Sequence, residues 1–131
     1  RALVLVPTRE LAFQVEESVL KVAYALRIKT VALVGGDSIH RQILALGRGP
    51  RVLIATPGRL IDLMEQRKVH LKDVHILVLD EADRMLDMGF APQIDRILRS
   101  VPTDRQTMLF SATMPSSIVK IASQYMKCPR W

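Results

Sequence analysis

Apolar residues gather in five short unbroken runs, Ala2–Val6, Thr30–Val34, Val52–Ala55, Ile76–Leu79 and Thr107–Phe110. Each is four or five residues long, rich in Val, Ile and Leu, and lacks the in–out alternation of a half-exposed strand. Such runs predict strands buried on both faces of a sheet. Between them the apolar spacing turns helical. Leu11, Val15, Val19, Val22 and Leu26 make one stripe, Ile94, Ile97, Leu98 and Val101 a second, and Ile118, Ile121, Ala122 and Tyr125 a third. Thr56 before Pro57 offers an N-cap and a first-turn proline, which predicts a helix from there through Met64. Strand–helix alternation predicts a three-layer α/β fold around a parallel sheet. At 131 residues the chain makes one domain, large enough for a real core.

Ligands of such sheets collect at the carboxyl ends of the strands. The residues just past each run are polar and glycine-bearing: Pro7-Thr8-Arg9-Glu10, Gly35-Gly36-Asp37, Thr56-Pro57-Gly58-Arg59, Asp80-Glu81-Ala82-Asp83 and Ser111-Ala112-Thr113. The run Ile76–Leu79 delivers two adjacent carboxylates to that edge. Phosphate-transfer chemistry needs one acid to hold a metal and a second group to orient attacking water. Asp80 suits magnesium, held through water because that ion keeps much of its hydration shell, and Glu81 suits the water. The plainer alternative is a solvated acidic turn that caps the following helix. Thr8 and Thr56 supply hydroxyls, helix starts supply free N–H groups, glycine admits close backbone approach, and Arg9 and Arg59 add charge. These groups suit sugar-phosphate without reading bases. Simple helix capping by the two threonines and a tight turn at Gly35-Gly36 are the competing explanations.

Composition narrows the field. The chain is 49% apolar and 24% charged, and its 19 Lys and Arg against 13 Asp and Glu give a net charge of +6. That sign favours polyanionic partners. No apolar run is long enough for a membrane span and no secretory signal opens the chain, so a cytoplasmic protein is expected. The single cysteine, Cys128, excludes an intrachain disulfide and CxxC metal sites. His40, His70 and His75 lack metal-ligand spacing, and Met85, Met88 and Met114 are expected to be packing residues.

The string Asp80-Glu81-Ala82-Asp83, continuing through Arg84-Met85-Leu86-Asp87-Met88-Gly89-Phe90, resembles the signature of DEAD-box RNA helicases. Pro7-Thr8-Arg9-Glu10-Leu11 is similar to the family's motif Ia, Gly35-Gly36 with Gln42 to its GG motif, Thr56-Pro57-Gly58-Arg59 to motif Ib, and Ser111-Ala112-Thr113 to motif III. The resemblance runs the length of the chain and in order. It implies a RecA-like domain of the P-loop NTPase type, with residues 1–131 forming part of the first such domain. It also implies an enzyme that couples ATP hydrolysis, with magnesium, to unwinding of RNA duplexes. On that resemblance Asp80 and Glu81 serve magnesium and hydrolysis, Asp83 couples them to motif III, and Ser111 and Thr113 link hydrolysis to strand separation. Pro7, Thr8, Arg9, Gly35, Gly36, Thr56, Pro57, Gly58 and Arg59 lie along the RNA track.

The phosphate-cradling GxxxxGK[ST] loop of such enzymes is not among these residues, which contain no Gly-Lys pair. A strand opening at Ala2, directly behind Arg1, further suggests a piece of a longer protein. Three expectations follow. The 131 residues alone are inactive toward ATP. Without the phosphate-loop strand, Thr107–Phe110 presents an unpaired sheet edge beside bare apolar surface. Two copies then associate as a homodimer through that edge. A non-catalytic RNA-binding or regulatory module is the alternative function, and a pure protein-interaction module a third.

Overall fold

In a computed structural model that describes all 131 residues, five parallel strands form one sheet in the order β2-β3-β1-β4-β5. The strands are β1 (Ala2–Leu5), β2 (Thr30–Leu33), β3 (Val52–Ala55), β4 (Ile76–Leu79) and β5 (Gln106–Leu109). The helices are α1 (Arg9–Leu26), α2 (Ile39–Leu46), α3 (Pro57–Glu65), α4 (Ala82–Asp87), α5 (Ala91–Ser100) and α6 (Ser116–Tyr125). The apolar runs located every strand, but Val6, Val34 and Phe110 fall just beyond the strand ends. The Val6 and Phe110 N–H groups still donate to the Ala55 and Leu79 carbonyls at 3.0 and 2.8 Å. Helices α2 and α4 had no stripe long enough to announce them, at eight and six residues.

The strands pair in step, so that Leu5 lies level with both Ala55 and Leu79, and Leu33 with Ala55. Register therefore brings the turns after β1, β2, β3 and β4 to one height along one edge. The ladder continues into those turns, with the Asp80 N–H on the Leu5 carbonyl and the Thr56 N–H on Leu33, both at 3.0 Å.

The two faces of the sheet are covered unequally. Leu3, Leu5, Leu53, Leu77 and Leu79 enter the main core, which α2 to α6 close with Leu60, Leu63, Met85, Ile97 and Ile118. On the other face α1 alone packs over β2 and β3, burying Val6, Ala12, Val34 and Ile54. The expectation of strands buried on both sides fails beyond α1's reach. Ile76 is 41% exposed and Val78 and Met108 are only half-buried, because no helix lies above them. The α1 stripe likewise stops short. Leu11, Val15 and Val19 pack against the sheet, whereas Val22 and Leu26 stand 63% and 62% exposed, where the helix overruns its support. Met85 is buried as expected, but Met88 and Met114 are only about half covered, at 47% and 48% exposed.

Candidate functional site

The carboxyl edge of the sheet carries two adjoining zones. Over β2, β3 and β1 a depression of about 420 Å³ is lined by Pro7, Arg9, Gly35, Thr56, Gly58, Arg59, Asp62 and Phe90. Three turns that are far apart in sequence thus converge on one surface. Thr8 is the N-cap of α1, its hydroxyl accepting from the Leu11 N–H at 3.3 Å. Thr56 is the N-cap of α3 by position only. Its side chain makes no capping bond, and Pro57, which has no N–H, opens the helix. Pro57 itself is buried, and Gly58 is exposed at the helix start. The Thr56 hydroxyl and the opening N–H groups of α3 are thus left for an external acceptor, the arrangement that receives phosphate at helix N-termini.

Both arginines of the depression are held by backbone. Arg9 donates through Nη1 to the Gly36 carbonyl at 3.1 Å and lies over the Phe13 ring, 5.7 Å from its centroid. Gly36 has φ +75°, and a Cβ there would stand 2.4 Å from that same Nη1. Both its backbone conformation and the seating of Arg9 require glycine. Neighbouring Gly35 is exposed, with nothing within 4 Å of an added Cβ. Arg59 donates to the Asp37 carbonyl at 3.1 Å and to Gln42 Oε1 at 3.0 Å. Gln42 is 4% exposed and uses its amide N–H on the Val34 carbonyl at 2.9 Å, so it ties Arg59 to the end of β2. Each guanidinium keeps further N–H donors free for a ligand.

Asp62 and Phe90 were not singled out from sequence. Asp62 follows Gly58 by one helical turn and could have been found by that spacing. Phe90 arrives from the turn between α4 and α5, through Gly89 at φ +84°, and has no local signal.

The second zone lies where β4 and β5 end, one strand spacing from β1. Asp80 is half-buried at the tip of β4, and no Lys or Arg pairs with it. A free carboxylate at a strand end fits magnesium, which takes one or two protein acids and fills its remaining positions with water and phosphate oxygens. Glu81 adopts a left-handed backbone, φ 52° and ψ 49°, uncommon outside glycine and frequent at functional turns. The Arg84 guanidinium stands 3.5 Å from its carboxylate, both side chains about half exposed, a pairing too solvated to hold Glu81 firmly. Asp83 reaches across to β5's exit. Its Oδ2 accepts from the Thr113 hydroxyl at 2.8 Å and the Thr113 N–H at 3.1 Å. The Ser111 hydroxyl donates to the Thr113 carbonyl at 2.6 Å. The Thr113 hydroxyl, followed by the Arg84 and Thr113 N–H groups and Ser111, holds the Asp83 pKa below its ordinary value, against a smaller desolvation effect. Asp80, Glu81, Asp83, Ser111 and Thr113 therefore form one contiguous acidic and hydroxyl-bearing turn pair, beside the arginine-lined depression.

A family model described as "DEAD/DEAH box helicase" matches residues 1–121. The chain is 50% identical over 129 residues to the DEAD-box ATP-dependent RNA helicase CshA of Geobacillus kaustophilus, covering 98% of this chain and 28% of that protein. It is 50% identical over 127 residues to the ATP-dependent RNA helicase DBP2 of Saccharomyces cerevisiae, covering 97% and 23%. The yeast DEAD-box splicing factor Prp28 superposes with a TM-score of 0.92 at 42% identity, covering 96% of this chain and 30% of that one. The chain thus spans about a quarter of the length of these curated relatives.

Proposed function

The chain belongs to the DEAD/DEAH box helicase family, and from that premise we propose that it is part of the first RecA-like domain of an ATP-dependent RNA helicase. The observation that carries the reading is convergence. Motif-bearing turns after β1, β2 and β3 build one arginine-lined depression, and the acidic turn pair abuts it. In this reading the depression, with Thr8 at its margin, grips the sugar-phosphate of single-stranded RNA through Thr8, Arg9, Thr56, Arg59 and the free N–H groups near Gly35, Gly36 and Gly58. Pro7 lines it and buried Pro57 sets the start of α3. A grip of that kind is tolerant of sequence. Asp62, an acceptor among donors, suits a ribose 2′-hydroxyl, the group that distinguishes RNA from DNA.

Asp80 is the residue that would hold magnesium, through water, and the ion would offset phosphate charge. Glu81 orients the attacking water. Asp83, by its bonds to Thr113, passes changes at the carboxylates to the Ser111–Thr113 turn. In this reading the protein meets its RNA in the cytoplasm. No helix is long and apolar enough to cross a membrane. The 131 residues contain no Gly-Lys pair, so they bind ATP no more tightly than about millimolar, roughly 4 kcal/mol. Micromolar, magnesium-dependent binding by calorimetry would contradict this. The RNA assignment is tested by replacing Arg9 and Arg59 with alanine. Affinity for single-stranded RNA should fall on every sequence tried, and unchanged affinity refutes the assignment.

The edge strand β5 supports self-association as well. It pairs only with β4, its outer side opens on a groove of about 570 Å³ bounded by Tyr125–Arg130, and Phe110 beside it is 54% exposed. Two copies pair there around a twofold axis. Light scattering across a concentration series should show a dimer, and a monomer at all concentrations overturns it.

A further inference from the structure

The molecule's net positive charge lies away from the candidate site. The segments that lead into the five strands are Arg1, 27–29, 47–51, 66–75 and 101–105. They hold nine of the 19 Lys and Arg residues and only two of the 13 acids, Asp73 and Asp104. Everywhere else basic and acidic residues nearly cancel, ten against eleven. Since the strands are parallel, all these segments lie at the amino edge of the sheet, one strand length, about 13 Å, from the depression.

Hydrogen bonds join the segments into a continuous row. Lys29 donates through Nζ to the Arg48 carbonyl at 3.2 Å, and the Arg51 N–H to Lys29 at 2.9 Å. Arg1 Nε donates to the Pro50 carbonyl at 3.1 Å, the His75 N–H to Arg1 at 3.0 Å, and the Gln106 N–H to His75 at 2.8 Å. Arg27, Lys29, Arg48, Arg51, Lys68 and Lys72 are all exposed and none has a carboxylate partner. Like charges gathered without counter-charge repel within the screening length, about 10 Å at 0.1 M salt, and a polyanion relieves that repulsion. Helix C-termini above the row favour cations locally, but that effect does not call for basic residues throughout the long segment 66–75.

We infer that this amino edge is a second binding surface for the phosphate backbone of RNA, separate from the depression at the carboxyl edge. From β2 to β4 the row crosses three strand spacings, about 14 Å, enough for a few successive phosphates of one strand. An acidic protein partner fits less well. Protein interfaces are anchored by exposed apolar or aromatic side chains. Segments 47–51 and 66–75 expose none, since Val69, Leu71 and Val74 are at most 7% exposed. Along these two segments contact is through charge, as in sequence-independent nucleic-acid binding.

The test is salt-dependent binding of a 20-nucleotide oligouridylate to the chain, comparing Arg48→Gln/Arg51→Gln/Lys72→Gln with Arg9→Ala/Arg59→Ala. None of the first three side chains makes a hydrogen bond or ion pair in the structure. The Gln variant should lower the slope of log affinity against log salt by about 2, at roughly 0.7 per lost phosphate contact. The charge-conserving Arg48→Lys/Arg51→Lys variant should keep the wild-type slope, and it serves as the reference should the triple variant fold poorly. An unchanged slope in the triple variant, or an amide map in which RNA shifts only the carboxyl-edge turns, overturns the inference. So does a poly-glutamate 20-mer that binds the row as tightly as the RNA. Loss of binding confined to the Arg9→Ala/Arg59→Ala variant would uphold the depression and sink the second surface. The reverse result would do the opposite.

Discussion

Gly36→Ala tests the seating of Arg9 with a single methyl group. At φ +75° an L-residue is held in left-handed space, at a cost of about 1–2 kcal/mol. The added Cβ would also lie 2.4 Å from Arg9 Nη1. That atom ends a flexible side chain, so the guanidinium swings away rather than the fold breaking. It then loses the bond to the Gly36 carbonyl and its place over Phe13, exposed interactions together worth about 1 kcal/mol. Urea unfolding should therefore show a loss of about 2 kcal/mol. RNA affinity should fall about fivefold as one phosphate contact is misplaced, about 1 kcal/mol. Gly35→Ala is the control, because its Cβ meets nothing within 4 Å, and its stability should stay within about 0.5 kcal/mol of wild type. Fluorescence anisotropy with labelled single-stranded RNA supplies the affinities. Equal stability of the two alanine variants, with the RNA affinity of Gly36→Ala unchanged from wild type, would refute the proposed role of Gly36.

Gln42→Ala should destabilise the fold by about 2 kcal/mol, since it leaves the Val34 carbonyl unpaired in the interior. It should also broaden the Arg59 side-chain Nε–H signal in NMR spectra, and a sharp, unshifted signal would contradict the tether. Thr113→Val removes the largest cause of Asp83's lowered pKa, so Asp83 should titrate nearer its ordinary value. A depressed carboxylate contributes stability above its unfolded pKa and loses it as pH falls through the folded one. The variant's deficit should therefore be full at neutral pH and vanish in acid. Burial, opposed in part by a hydrogen bond to Thr30, raises the pKa of Glu16. Its ionised form is a burden that disappears as pH falls through that raised value, so Glu16→Gln should raise Tm at pH 7 and change nothing in acid. Equal Tm values at pH 7 would refute it.

Sequence periodicity located the strands because a parallel sheet flanked by helices demands unbroken apolar runs. It overstated their burial. Val78 and Ile76 read like Leu77 and Leu79, but nothing local announces that α1 reaches only β2 and β3. Short helices α2 and α4 were missed because eight and six residues hold too few turns for a stripe. The position of the polar turns was legible wherever motif and strand end coincide, as at Asp80, Thr56 and Arg9. The partnerships were not. That Asp83 bonds Thr113, that Gln42 braces Arg59 and that Phe90 joins the depression all depend on register between strands distant in sequence. The basic row at the amino edge was hidden for the same reason. Its residues are scattered along the chain and meet only once the sheet forms.

In the proposed function three turns far apart in sequence make one RNA-binding surface. Amide NMR shifts of the isotope-labelled chain, followed during titration with single-stranded RNA, test it directly. Thr8, Arg9, Gly35, Gly36, Gly58 and Arg59 should shift together along one binding curve, with Asp62 and Phe90 moving alongside them. If those amides stay still at RNA concentrations that saturate the basic row, or move with unrelated affinities, the depression is not the site.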